Sequence, residues 1–145
     1  MNSTINKHAG VFMKTKFKYI CVMAIFFFMM PSINLAQARI GSTSNEIISE
    51  FREKGIQWGH ADDGSRYLWY EAGNFTVAYY LNENSYCYLT LVVPHNQGAL
   101  NFFCEKYNKE AVIISETKWK LYTASGVMDI ELIYADDGGY YFRLY

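Results

Sequence analysis

Twice along this chain a capped amphipathic stretch is followed by short segments rich in Tyr, Phe, Val, Leu and Thr, separated by hairpin-length turns. That order restricts the fold to helices packed on an antiparallel sheet, because strands joined by only a few residues have to run antiparallel. In the first block Thr43-Ser-Asn-Glu46 predicts a capping box, Ile47, Ile48 and Phe51 fall on one helical face, and Gly55 marks the stop. Strands are predicted over Tyr67–Glu71, Phe75–Leu81 and Tyr86–Val93. In the second block Asn96 caps a helix whose Leu100, Phe103, Cys104 and Tyr107 have the spacing of an apolar stripe. Strands are predicted again over Val112–Tyr122, Val127–Ala135 and Tyr140–Tyr145. The expected fold is α+β, an antiparallel sheet of about six strands with two helices on one face.

The two blocks can be laid on one another. Tyr70-Glu-Ala-Gly-Asn-Phe75 falls on Tyr122-Thr-Ala-Ser-Gly-Val127 at a shift of 52, and Tyr86-Cys-Tyr88 on Tyr140-Tyr-Phe142 at a shift of 54. This suggests a tandem α-β-β-β repeat, against the alternative that aromatic-rich meanders look alike by composition.

Two helices can cover one face of such a sheet and not both. Alternation predicts Cys87, Leu89, Leu91 and Val93 in one row, with Tyr86, Tyr88, Thr90 and Val92 in the other. Met128, Ile130, Leu132 and Tyr134 oppose Asp129 and Glu131, while Phe142 and Leu144 point inward and Tyr141, Arg143 and Tyr145 outward. Trp69, Tyr80, Tyr86, Tyr88, Tyr141 and Tyr145 are therefore expected on the open face, with Thr76, Thr90 and Arg143. Grouped surface aromatics suit a partner-binding surface, since Tyr and Trp bury much area at small entropic cost. The alternative is that Tyr simply suits strands.

The segment before position 39 reads as an export signal. Lys14, Lys16 and Lys18 precede the apolar run Tyr19–Met30, Pro31 breaks it, and Ala36-Gln37-Ala38 matches a signal-peptidase site. Twelve apolar residues rise only about 18 Å as a helix, short of the roughly 30 Å of a bilayer core, so cleavage after Ala38 is expected rather than anchoring. Arg39 stands where a lipoprotein would need Cys. Met13 is the expected start, residues 1–38 the extension and signal peptide, and residues 39–145 one α+β domain. The expected destination is the periplasm or the medium of a bacterium, with no stable membrane anchor after cleavage. Nine basic residues against fourteen acidic ones then remain, a net charge of −5, which disfavours nucleic acid as a partner.

Little in the chain points to catalysis. No Gly-x-Ser-x-Gly, Walker loop, dinucleotide fingerprint or His-Glu-x-x-His is present, so no enzyme activity, cofactor or metal is expected. His60 with Asp62 and Asp63 is too compact for zinc and reads as a solvated turn. His95 and Cys104 could be read as base and thiol, but Cys104 falls on the apolar stripe. Cys87 and Cys104 could pair in an oxidising compartment, but strand and helix rise set them at different levels, which favours two separate core thiols. Asn74-Phe75-Thr76 matches a glycosylation sequon that matters only in a eukaryotic secretory pathway.

Arg39-Ile-Gly-Ser-Thr-Ser-Asn-Glu-Ile-Ile48, a Gly-Ser/Thr lead into a short capped helix behind a signal peptide, resembles the opening of small periplasmic modules of the SmpA/BamE type. The tandem order of helix and antiparallel strands over Thr43–Tyr145 is similar to the β-lactamase-inhibitor-protein fold. The chain departs from both in lacking a lipobox and in having one helix per block. The resemblance implies a non-enzymatic module binding another exported protein through a sheet face. A glycan or small ligand stacking on the same aromatics is the alternative, and a small hydrolase using His60 or His95 as base is a third possibility.

Overall fold

The computed structural model describes residues 38–145 apart from Ser125. The proposed export signal up to Gln37 lies outside the described residues. Helix α1 (Ser44–Phe51) begins at the expected capping box: the Glu46 N–H donates to Thr43 Oγ1 at 3.3 Å, and the Thr43 N–H donates back to Glu46 Oε2 at 2.7 Å. The Thr43 N–H foremost, and then the Thr43 hydroxyl donating to the same Oε2 at 2.9 Å, hold the Glu46 carboxyl below its ordinary range. A 3-10 turn over Arg52–Lys54 follows and Gly55, at φ 70°, stops it in a left-handed conformation that glycine adopts without steric cost. Thr43→Ala is expected to cost about 1 kcal/mol in a denaturant titration, because both bonds of Thr43 Oγ1, accepting from the Glu46 N–H and donating to its carboxylate, are lost while the backbone bond remains.

Strands β1 (Gln57–His60), β2 (Arg66–Glu71), β3 (Phe75–Leu81) and β4 (Cys87–Pro94) form one meander. Helix α2 (Gln97–Glu110), capped by Asn96, leads into the second, β5 (Val112–Ser115), β6 (Lys118–Thr123), β7 (Gly126–Tyr134) and β8 (Tyr140–Leu144). All pairings are antiparallel and the order is β1-β2-β3-β4-β8-β7-β6-β5, so the two meanders meet at β4 and β8.

The sheet has eight strands, not six. β1 was missed because Gln57-Trp-Gly-His60 has no apolar alternation; it is an edge strand held by its pairing with β2. β5 and β6 look like one strand because Glu116-Thr117 turns the chain without Gly, Pro or Asn.

The expected rows of β4 are also corrected. Tyr80 pairs with Leu89 but Leu81 pairs with Cys87, a bulge that inserts one residue and exchanges the faces beyond it. Thr90 and Val92 consequently point to the helices and are fully buried, whereas Leu89, Leu91 and Val93 lie on the open face. Thr90 is thus no part of the open face.

Both helices pack on the same side. Phe51 of α1 stacks on Tyr70 and Tyr79 at 5.1 and 5.6 Å, with Ile47 beside it fully buried. Phe103 of α2 meets Phe75 edge-on at 5.1 Å, and Tyr107 meets Phe142 and Trp119 at 5.2 and 5.9 Å. The inward placement of Phe142, Leu144, Ile130 and Leu132 is as expected.

The residue overlay of the two blocks does not hold in three dimensions. Tyr70 is buried under α1, whereas Tyr122, matched to it at a shift of 52, is 64% exposed on the opposite face. A displacement by one residue reverses every side chain of a strand, so the similarity extends to element order and not to side-chain position.

Candidate binding face

The register assembles the uncovered face from cross-strand rows. Trp69, Ala78, Leu91, Arg143, Glu131 and Lys118 are successive partners from β2 to β6, with Gln57 of β1 beside Trp69. A neighbouring row runs Gly59, Tyr67, Tyr80, Leu89, and on the other side Glu71 pairs with Thr76, Thr76 with Val93, and Ile133 with Tyr141. The face therefore has an aromatic and aliphatic half on β2–β4, continued by Tyr141 on β8, and a half on β6–β8 in which the charged residues cluster.

Glycine explains how the aromatic half lies down on the sheet. A Cβ at Gly59 would stand 2.4 Å from the Tyr67 ring, so the ring rests against bare backbone where any other residue would displace it. Tyr80 stacks on Tyr67 at 5.0 Å. Burial, first, and then the nearby Tyr67, Asp63, Tyr88 and Tyr141 push the Tyr80 phenol above its ordinary range, which places these groups in one neighbourhood. Ala78, flanked by Trp69 and Leu91, leaves the centre of the row low.

In the charged half Arg143 donates to Glu131 at 2.6 Å and Lys118 Nζ lies 2.9 Å from the same carboxylate. The Lys118 bond first, then Arg143, holds Glu131 below its ordinary range. Lys120 and Asp129 face each other at 3.5 Å, and the Arg143 guanidinium sits 4.9 Å from the Tyr145 ring centre. Such exposed pairs add little stability singly; their effect is to fix the direction of Arg143.

Six of the seven sequence-predicted residues come together here. Trp69, Tyr80, Tyr141 and Arg143 are half-buried on the open face, Tyr88 is exposed at the bulge next to Tyr80, and Tyr145 is exposed beside Arg143. Tyr86 stands apart: it precedes β4 and bridges Thr43, and among the described residues no ring contact joins it to the others. Tyr67, Leu89, Leu91, Val93 and Ile133 were missed. Tyr67 was legible from the alternation with Trp69, whereas the β4 leucines depend on the bulge.

The other candidate groups are accounted for by local structure. His95 Nε2 lies 2.8 Å from Thr76 Oγ1, and its Nδ1 lies 3.9 Å from Glu71, an arrangement tying the end of β4 to the β2–β3 hairpin. His60 is exposed on β1, and Asp63 accepts from the Ser65 N–H at 2.8 Å, closing the next turn. Cys87 and Cys104 are both free thiols, each pushed up by burial, Cys87 with Thr90 Oγ1 at 3.7 Å. Neither is an activated nucleophile. Among the described residues no group of three His, Cys, Asp or Glu could hold a metal, and no helix is long and apolar enough to cross a membrane.

Fold and face together define an α+β protein whose sheet is covered by helices on one side and presents aromatic side chains on the other. In comparisons with known proteins no family model, no curated protein and no solved structure matches this chain.

Proposed function

We propose that this chain is an exported, non-enzymatic interaction module that buries the aromatic half of its open sheet face against another protein. The observation that carries the reading is the grouping of Tyr67, Trp69, Tyr80 and Tyr141 with Leu89 and Leu91 on a face that neither helix covers. Half-buried aromatics already lying against the sheet lose little further freedom on binding, the property of interface anchors. The excess of acidic over basic residues beyond position 38 favours a neutral or basic partner. The resemblance to SmpA/BamE and β-lactamase-inhibitor-protein modules, which rests on element order, agrees with a sheet face as the binding surface.

A glycan is the second reading, favoured by the flat Tyr67 and Tyr80 rings, on which a sugar could stack. The two separate by competition: free oligosaccharide displaces a glycan and leaves a protein partner bound. Tyr88→Ala and Tyr141→Ala are each expected to weaken partner binding about fivefold or more, about 1 kcal/mol, while leaving the unfolding midpoint nearly unchanged. A large fall in that midpoint would instead make either ring part of the folding core.

A further inference from the structure

We propose that two copies of this chain pair edge to edge through β5, joining their sheets into one continuous antiparallel sheet. The two edges of the sheet are β1 and β5, and they differ in kind. β1 is Gln57-Trp-Gly-His60, its glycine under the Tyr67 ring and its Trp58 ring 5.8 Å from the Arg66 guanidinium. β5 is Val112-Ile-Ile-Ser115, with Val112, Ile113 and Ile114 exposed by 52, 57 and 58%. The strand has no Pro, no Lys and no inward charge to blunt its edge, and only its four-residue length and the irregular register between Ile113 and Ser115 limit the ladder it can form.

The occupant follows from the chemistry of the edge. An open strand edge recognises extended backbone, and its side chains here ask for a neutral, apolar strand. This chain carries such a strand at β5 itself. Antiparallel pairing about a two-fold axis at Ile113 sets Ile113 of one copy against Ile113 of the other, and because β5 has no charged residue, no like charges oppose within it. Such pairing is isologous and closes, since each copy has one β5 and uses it. Three side chains and a four-residue strand cover far less than the roughly 800 Å² per partner of a standard interface, so association is weak and concentration-dependent. The two-fold axis runs through the sheet, which leaves both aromatic faces on the same side, available to a bivalent partner.

Sedimentation velocity under reducing conditions tests this, on the chain from Arg39, which contains every buried residue among those described, from Ser44 to Leu144. From about 10 μM to about 1 mM the wild type is expected to shift from monomer to dimer. Ile113→Lys and Ile114→Lys, which set ammonium groups at the paired edge, are expected to stay monomeric, with circular dichroism reporting that each is folded. Ile113→Val is expected to dimerise as the wild type does. A wild type that is monomeric throughout, or dimers that persist in both lysine variants, would overturn the proposal. So would a dimer lost in Tyr88→Ala/Tyr141→Ala but kept in the lysine variants, because the copies would then meet through their open faces.

Discussion

Phe142→Ala is expected to lower the free energy of unfolding by about 3–5 kcal/mol, the range for emptying a buried aromatic site. Phe142 is completely buried on β8, the strand that joins the two meanders, and its ring lies within 5.2–6.1 Å of Phe103, Tyr107 and Trp119. Removing it opens a cavity between α2 and the centre of the sheet, where neighbours on helix and strands alike are fixed by their own packing and collapse only in part. Urea titration of the chain from Arg39 measures the loss. A change below about 1 kcal/mol would mean that α2 does not pack over β8, and the placement of the open face would fall with it.

The second large effect is alkaline. Burial is the first cause that raises the Tyr70, Tyr79 and Tyr107 phenols above their ordinary value of 10.0. Their folded pKa values thus exceed the unfolded ones, so the folded state keeps protons that the unfolded chain has lost. Stability is then fully present below about pH 10 and falls as pH rises beyond it, as each unfolded phenol loses a proton that its folded counterpart keeps. Cys87, raised from 9.0 by burial, adds a contribution of the same sign that begins lower. Unfolding midpoints measured from about pH 8 to about pH 12 are expected to show a slight decline first and a steeper one above pH 10, with the Tyr79 and Tyr107 phenols ionising only as the chain unfolds. Tyrosinate absorbance that follows one ordinary titration curve in the folded protein would contradict the burial described for Tyr79 and Tyr107.

Local signals carried most of the fold. The capping box at Thr43, the stop at Gly55 and the cap at Asn96 each act within one helical turn, and the structure places them as the residues imply. β3 was legible to the residue because Ala72-Gly73-Asn74 and Asn82–Ser85 bound it with turn chemistry on both sides. What stayed hidden depends on how a segment pairs with its neighbour and not on its own residues. β1 exists through its pairing with β2, and the Cys87 bulge through its fit to Leu81. That one bulge decides which residues of β4 reach the open face, which is why Thr90 was misplaced and Leu89 and Leu91 were missed. On β8, where no bulge intervenes, simple alternation set Tyr141 and Arg143 on the correct side.

The central claim, that the aromatic open face binds a protein, is tested most directly by capture from periplasmic and culture-supernatant extracts. The bait is the chain from Arg39, with the Tyr88→Ala/Tyr141→Ala double variant as control and free oligosaccharides as competitors. The account predicts one specific protein held by the wild type, lost in the folded double variant and not displaced by sugar. Equal capture by both baits, or binding that sugar abolishes, would contradict it.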